Sequence, residues 1–427
     1  MSNILSMAQS AKRASVAMAT VSTEVKNAAL LAMADILQSH QAEILQANAQ
    51  DLAVAEADGL PQPVLKRLKF DARKLADVIA GLHSLVSLPD PVGRLLSATE
   101  LDTGLILHKV SCPIGVIGIV FEARPDALVQ ISSLCLKSGN AVLLKGGKEA
   151  RESNRLLADL ITQATQQAGL PQNWLQLLET REEVGEMLKL DAWIDLLIPR
   201  GSNAFVKYIM TNTNIPVLGH ADGLCHVYVD AEADIDKACR IIVDSKTQYV
   251  SACNAAETML VHADIARYFL PAAAQALREA GVQLRGCDLT QKIIDCQPAT
   301  DEDWQTEYLD LILSVKVVPD LDAACQHINT YGSGHTDVIV TENAATAARF
   351  QLLVDSADVF WNCSSRFADG FRFGLGAEVG ISTSKIHARG PVGLEGLVIY
   401  KWLLQGNGHI VADYASGKAR FTHKKLQ

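Results

Sequence analysis

Gly115-Val-Ile-Gly-Ile-Val-Phe121, Asp126 to Lys137 and Ala141-Val-Leu-Leu144 follow one another with short spacers. The outer two are continuous apolar runs, the composition of strands buried on both faces. The middle one reads as a helix, closed by Gly139, a residue suited to the turn that ends one. Strand, helix and strand at this spacing make a βαβ unit, and such units need parallel strands. The pattern continues outward. Glu149 to Gln167 reads as a long helix stopped near Gly169-Leu-Pro171. Trp174 to Leu178 and Trp193 to Ile198 read as strands on either side of a helix around Glu182 to Leu188. After Asp230 the rhythm resumes with helix Asp234 to Asp244, strand Thr258 to Val261, helix Ile265 to Ala280, strand Leu311 to Val318, helix Leu321 to Asn329 and strand Thr336 to Val340. The fold class is α/β: two doubly wound domains, each a parallel sheet with helices on both faces.

Before the first strand the chain reads as helix, from Lys26 to Asp58 and from Gln62 to Leu85, broken at Gly59-Leu-Pro61. Leu95 to Cys112 reads as a short hairpin or extended arm. The expected division places 1–93 and 113–229 in one domain and 230–385 in a second. Residues 94–112 and 386–427 form an arm and a tail.

The composition narrows the classes of function. A chain of 427 residues, 49% hydrophobic, is too long for one ordinary core. A net charge of −10 without a basic block argues against a nucleic-acid or anionic-membrane surface. The nine cysteines lack metal-ligand spacing and scatter through apolar segments, as reduced thiols in a cytoplasmic protein do. The N-terminus has no charged start followed by an apolar run, so no signal peptide is expected.

Two kinds of segment carry chemistry. In Tyr249-Val-Ser-Ala-Cys-Asn-Ala-Ala-Glu-Thr258 the thiol of Cys253 lies in a turn of small residues ahead of an apolar strand. Such a turn fixes a thiol at a cleft with backbone N–H groups facing a reacting carbonyl, which suits thioester chemistry. A packed small hydrophobe fits the same residues. Lys145 ends a strand and is followed by Gly146-Gly147-Lys148, and Pro199-Arg200-Gly201-Ser202-Asn203 ends another and opens a helix. Carboxyl ends of parallel strands are where such sheets take ligands, and a helix start suits a pyrophosphate. The Gly-x-Gly-x-x-Gly fingerprint is absent: Phe121-Glu-Ala-Arg-Pro-Asp126 stands after the first strand.

Together these segments resemble the aldehyde dehydrogenase superfamily, and within it the γ-glutamyl phosphate reductase family. The resemblance covers essentially the whole chain. Its most specific pieces are Gly118-Ile-Val-Phe-Glu-Ala-Arg-Pro-Asp126, Pro199-Arg-Gly-Ser202, Gly219-His-Ala-Asp-Gly-Leu-Cys225, Ser251-Ala-Cys-Asn-Ala-Ala-Glu-Thr258, Thr306-Glu-Tyr-Leu-Asp310 and Trp361-Asn-Cys-Ser-Ser-Arg366. Phe373 to Ser382 and His387 to Leu394 add to it. The resemblance implies an aldehyde dehydrogenase-like pair of cofactor and catalytic domains, with Cys253 as nucleophile. It implies Lys145 at the adenosine ribose, Gly201 and Ser202 at the pyrophosphate, and Glu307 at the nicotinamide ribose. Lys148 stands about where hydrolytic members often carry an acid that rejects a 2′-phosphate, so NADPH/NADP is the expected cofactor. Two departures set the chain apart. Leu218-Gly-His-Ala-Asp-Gly-Leu-Cys225 lacks the Glu with which hydrolytic members activate water. Arg124 stands where they place an oxyanion-stabilising Asn, and either binds an anionic phosphate or pairs with Glu122 or Asp126.

What the resemblance implies is reduction of L-glutamyl 5-phosphate to L-glutamate 5-semialdehyde through a Cys253 thioester, in proline biosynthesis. Asn254 is a candidate oxyanion stabiliser. Ser365, Arg366, His387 and Arg389 are candidates for the substrate's carboxylate and phosphate, or surface and hinge residues. No metal is expected. The arm and tail are expected to pair with another subunit in a homodimer or larger assembly, and the glutamate kinase that makes the substrate is a candidate partner. The competing readings are a hydrolytic NAD(P)-dependent aldehyde dehydrogenase and a non-catalytic cofactor-binding scaffold.

Overall fold

The computed structural model of the chain describes residues 3–220 and 222–426. Its first sheet has four parallel strands in the order Leu175–Leu178, Ala141–Lys145, Val116–Phe121, Leu196–Arg200. The chain enters at Val116–Phe121, steps outward twice, then crosses back to lay Leu196–Arg200 on the other side. That reversal sets the carboxyl ends of Val116–Phe121 and Leu196–Arg200 side by side, and a crevice opens where the connections leave on opposite faces. Val116–Phe121 and Ala141–Lys145 are buried throughout. Helices Pro125–Lys137 and Arg151–Gln167, backed by Thr23–Ser39 and Ala72–Ser87, cover one face. Helices Asn3–Met18 and Arg181–Met187 cover the other.

The two helical runs expected near the N-terminus are each divided. The first is Thr23–Ser39 and Gln41–Ala57, turning at His40. The second is Gln62–Leu68 and Ala72–Ser87. The second break has a local cause: the Asp71 carboxylate accepts the Lys74 N–H at 3.1 Å and caps a new helix.

The second sheet has seven strands, all parallel, in the order Gln297–Pro298, Gln283–Gly286, Ile312–Val318, Ala256–His262, Cys225–Val229, Thr336–Val340, Asp358–Trp361. Apolar layers fill both of its faces. Cys225–Val229 sits inside this sheet, so the boundary expected at 229/230 falls before Cys225. The strand's polar member is absorbed locally: the His226 backbone N–H and Nδ1 both meet Asp337 Oδ1, at 2.8 and 2.9 Å. A second correction concerns the end of this unit. Val379, Val392, Leu394 and Leu397 pack into the first domain's core, so the chain has left the second domain well before 385.

The hairpin reading of Leu95 to Cys112 holds. Leu95–Asp102 and Leu105–Pro113 pair antiparallel, and Val398–Gln405 and Lys424–Lys425 of the tail complete a four-stranded sheet. Val398–Gln405 is an edge strand with Tyr400, Trp402 and Leu404 exposed. No helix among the described residues is long and apolar enough to cross a membrane.

Candidate active site

Strand direction decides where the site lies. The first domain contributes carboxyl ends, as open α/β sheets do. The second contributes amino ends: Cys253 precedes Ala256–His262, Gly223 precedes Cys225–Val229, and His335 precedes Thr336–Val340. These are three neighbouring strands, so the three residues converge.

The Cys253 turn is held by its surroundings. The Ala255 N–H donates to Ala252 O at 2.9 Å and the Cys225 thiol to Cys253 O at 3.3 Å. Asn254 is buried, its Nδ2 donating to Ala368 O at 2.7 Å, while the Ser365 hydroxyl donates to Asn254 O at 2.6 Å. Gly223 lies so close that a β-carbon there would stand 2.2 Å from Cys253 O. Only glycine fits this contact. Among the described residues, the backbone N–H groups of Cys253 and Asn254 have no acceptor.

His335 is the thiol's nearest polar partner, with Nε2 3.2 Å from Cys253 Sγ. Its Nδ1 meets Thr336 Oγ1 at 2.8 Å, and that hydroxyl donates to Asp358 Oδ2 at 3.4 Å. With Thr336 spending its proton on Asp358, His335 Nδ1 is the donor and Nε2 holds the lone pair. Burial, together with the ring of His220 packed edge-on at 4.9 Å, drives the His335 pKa well below the usual range. Burial pushes the Cys253 thiol up to about 12; Glu378 and Glu307 push the same way, and Arg200 and Arg366 oppose them. The resting pair is therefore a thiol donating to a neutral imidazole.

Across the cleft, Arg200 ends its strand and lines the space with Cys253, Gly201, His220 and Glu378. Burial and the neighbouring Arg124 lower its pKa, against the pull of Glu378 and Cys253. Among the described residues its guanidinium has no hydrogen-bond acceptor. Arg124 pairs with Asp126 at 3.2 Å and remains half-exposed. Burial raises Glu378, which accepts the Gly370 N–H at 2.8 Å. Glu307 ties the two domains together, accepting from the Gly223 N–H at 3.0 Å and from the Asn203 side chain. Ser202 is the N-cap of Asn203–Thr211 and its hydroxyl makes no capping bond.

A separate groove lies beyond the strand Ala141–Lys145, walled by Gly146, Gly147, Lys148, Arg151 and Asn154. Lys145 is buried and its ammonium donates to Gly146 O. A β-carbon on Gly146 would stand 2.1 Å from Asn154 Nδ2. Among the described residues, Asn154 Oδ1 is buried without a partner.

Comparison with known proteins agrees with this geometry. Residues 2–291 match the model of the aldehyde dehydrogenase family. The γ-glutamyl phosphate reductase of Acetivibrio thermocellus is 62% identical over 99% of this chain and 98% of its own. The chain belongs to the γ-glutamyl phosphate reductase family. γ-Glutamyl phosphate reductase 1 of Synechocystis is 54% identical over 100% of this chain and 99% of its own. The solved γ-glutamyl phosphate reductase of Thermotoga maritima superposes with a TM-score of 0.94, at 40% identity over 96% of this chain and 100% of that one. An acetylating aldehyde dehydrogenase from Geobacillus thermoglucosidasius, 14% identical over 95% of this chain and 97% of its own, shares the fold with a TM-score of 0.64.

Within this family member, the expected site residues separate into those facing the cleft and those built into the scaffold. Cys253 and Gly201 line the cleft with Arg200, and Lys148 lines the separate groove; Lys145 ends the strand behind that groove, Ser202 follows Gly201, the charge of Arg124 is felt at Arg200, and Glu307 accepts from Gly223 beside the Cys253 turn. Arg366 is buried beside the turn, its Nε donating to Gln248 Oε1 at 2.9 Å, and its charge is felt at Cys253. Ser365 is fully buried and latches the turn from behind. His387 bonds Gly396 O at 3.0 Å and Arg389 pairs with Asp355 at 3.2 Å, and neither contacts the thiol. His335, Arg200 and Glu378 were not expected from sequence. The signal for His335 is Gly332-Ser-Gly-His-Thr336, a small-residue turn ahead of an apolar strand, the pattern that marks Cys253.

Proposed function

We propose that the protein reduces L-glutamyl 5-phosphate to L-glutamate 5-semialdehyde and phosphate, the second step of proline biosynthesis from glutamate, through a thioester on Cys253. The relatives reported above support the overall reaction. The observation that carries the thioester is the Cys253 thiol donating to a neutral His335, with Gly223 rather than a carboxylate packed on its backbone.

As Cys253 Sγ bonds the acyl carbon, its proton passes to His335 Nε2. The carbonyl oxygen becomes an oxyanion for the N–H groups of Cys253 and Asn254, which have no acceptor among the described residues, a geometry worth several kcal/mol in related chemistry. The acyl–oxygen bond breaks and phosphate departs toward Arg200 and Arg124, taking up the proton. A guanidinium fork without an acceptor of its own suits that group. At the second half-reaction the same N–H groups hold the oxyanion again; on collapse the sulfur leaves as a thiolate, takes a proton from solvent and again donates to His335 Nε2.

The groove fits a nicotinamide dinucleotide. Gly146 and Gly147 line the groove, with the Asn154 and Glu149 side chains packed close against them; among the described residues Asn154 Oδ1 lacks a partner, and Ser202 heads a helix. Lys145 would hold the adenosine ribose, Lys148 a 2′-phosphate on the side of the groove away from the Arg151–Glu179 pair, and Glu307 the nicotinamide ribose, which favours NADPH. Bound in its reduced form, the cofactor supplies the hydride that takes the thioester to the aldehyde level.

The exposed edge strand Val398–Gln405 supports assembly into a homo-oligomer, and the substrate links the protein chemically to a glutamate kinase. We place it in the cytoplasm on its reduced thiols. The test is the reverse reaction with semialdehyde, with and without phosphate, using NADP and NAD. Phosphate-dependent NADP reduction is expected. Equal rates without phosphate would show hydrolysis of the thioester and overturn the assignment.

A further inference from the structure

One cluster in this site has a chemistry the reaction does not use. A ring nitrogen of His220, the Cys253 sulfur and a ring nitrogen of His335 all lie within 4.8 Å of one another. Ligands to zinc, at about 2.0–2.3 Å from the metal in a tetrahedron, stand about 3.3–3.8 Å apart. Closure around an ion therefore asks for adjustments of about an ångström, within the reach of side-chain rotation.

The outer contacts of both histidines are those of metal ligands. His220 Nδ1 meets the Ile381 carbonyl at 3.0 Å, and a carbonyl only accepts, so Nδ1 carries the proton and Nε2 the lone pair. His335 Nδ1 donates to Thr336 Oγ1, with Asp358 behind it. An N–H tied to a carbonyl or a carboxylate-backed hydroxyl fixes the tautomer and aims the other nitrogen, the arrangement that supports ligating imidazoles. At the sulfur, Glu378 and Glu307 add negative potential against the positive potential of Arg200 and Arg366.

We propose that His220, Cys253 and His335 form a three-ligand site for a soft divalent cation, zinc, which binds the nucleophile's sulfur and holds the enzyme inactive until the ion is removed. The Cys253 S–H bond breaks, its proton goes to solvent, and a sulfur–zinc bond forms while each imidazole gives a lone pair; no electron is transferred. Two nitrogens and a thiolate select zinc over magnesium or calcium, which prefer oxygen. That binding inhibits rests on Cys253 being the nucleophile; that it occurs does not.

The experiment uses the full-length protein with Zn2+ and Co2+ alone. Cobalt is expected to give a thiolate-to-metal charge-transfer band at one equivalent, and zinc to abolish it. The same zinc should stop turnover, protect Cys253 from iodoacetamide and be fully reversed by EDTA. His220→Asn should weaken metal binding by more than about 10-fold. A wild-type protein with no cobalt–thiolate band overturns the site, whatever its activity. A band with undiminished turnover leaves the site standing and overturns Cys253 as nucleophile, and with it the inhibition. A His220→Asn protein that is folded by circular dichroism and binds as tightly as wild type removes His220 from the ligand set and overturns the proposal.

Discussion

His335 Nε2 stands 3.2 Å from Cys253 Sγ, and its opposite nitrogen is tied through Thr336 to Asp358. Burial raises the thiol's pKa and depresses the imidazole's, so a standing thiolate–imidazolium pair is disfavoured. His335 must then act when the thiol attacks, as a general base worth roughly 10²–10⁴-fold. His335→Gln keeps the size and a polar tip but cannot take the proton. Its kcat is expected to fall about 100- to 1000-fold, with slower alkylation of Cys253 by iodoacetamide and a near-normal urea midpoint. Unchanged kcat and alkylation would remove His335 from the mechanism.

Arg200 and the phosphoryl group give the second prediction. The guanidinium faces the cleft beside Cys253 with no acceptor among the described residues. Arg200→Lys keeps the charge and loses the two-pronged geometry. In the reverse reaction the KM for phosphate should rise about 10- to 100-fold, a loss of about 1.4–3 kcal/mol. The rate of Cys253 alkylation should change far less. If phosphate KM stays put, the anion is held elsewhere, and Arg124 becomes the candidate.

Gly223 sets the position of the nucleophile. A β-carbon there would meet the Cys253 carbonyl oxygen at 2.2 Å and its Cα at 2.6 Å, both backbone atoms that cannot rotate away. Gly223→Ala must move one strand's approach against the other, at a cost of about 1–3 kcal/mol. It also displaces the Gly223 N–H from Glu307. Activity is expected to drop by more than about 100-fold, since small misplacements of reacting groups are costly. A variant with wild-type kcat would show that the turn adapts without consequence.

How far the sequence discloses this site follows from what kind of signal each residue leaves. Buried parallel strands announce themselves as apolar runs, so Val116–Phe121, Ala141–Lys145 and Ala256–His262 are legible directly. Cys225–Val229 is harder because His226 interrupts the run; its burial is made possible by Asp337, which is 111 residues away. Short edge strands such as Asp358–Trp361 leave too few residues to show a period. Lys145 and Ser202 sit at strand and helix ends, where local pattern and the proposed ligand role coincide. His335 and Arg200 owe their roles to topology: one needs the strand order of the second sheet, the other the facing of the two sheets. Ser365 shows the opposite case: its polar character suggests a ligand, and the structure spends its hydroxyl on the Asn254 carbonyl.

The loop carrying Glu307 has its own anchor, and this gives a prediction about pH. Asp303 is buried and accepts from Arg285 Nη1 at 2.6 Å, Tyr308 Oη at 2.6 Å, and the Thr300 N–H and hydroxyl at 2.7 and 2.9 Å. Burial alone would raise its pKa, but the bonds from Tyr308, Thr300 and Arg285 outweigh it and hold the carboxyl well below the carboxylate range. A depressed folded-state pKa contributes stability that is present above the unfolded value of 3.8 and is lost as pH falls below it. Asp303→Asn should therefore cost about 2–4 kcal/mol in urea unfolding at pH 7, as for a broken buried pair. The difference from wild type should shrink as pH is lowered through 4 to 3. Because Tyr308 adjoins Glu307, the variant's KM for NADPH should rise as well. An undiminished difference at pH 3 would show that packing, not the charge on Asp303, holds the loop.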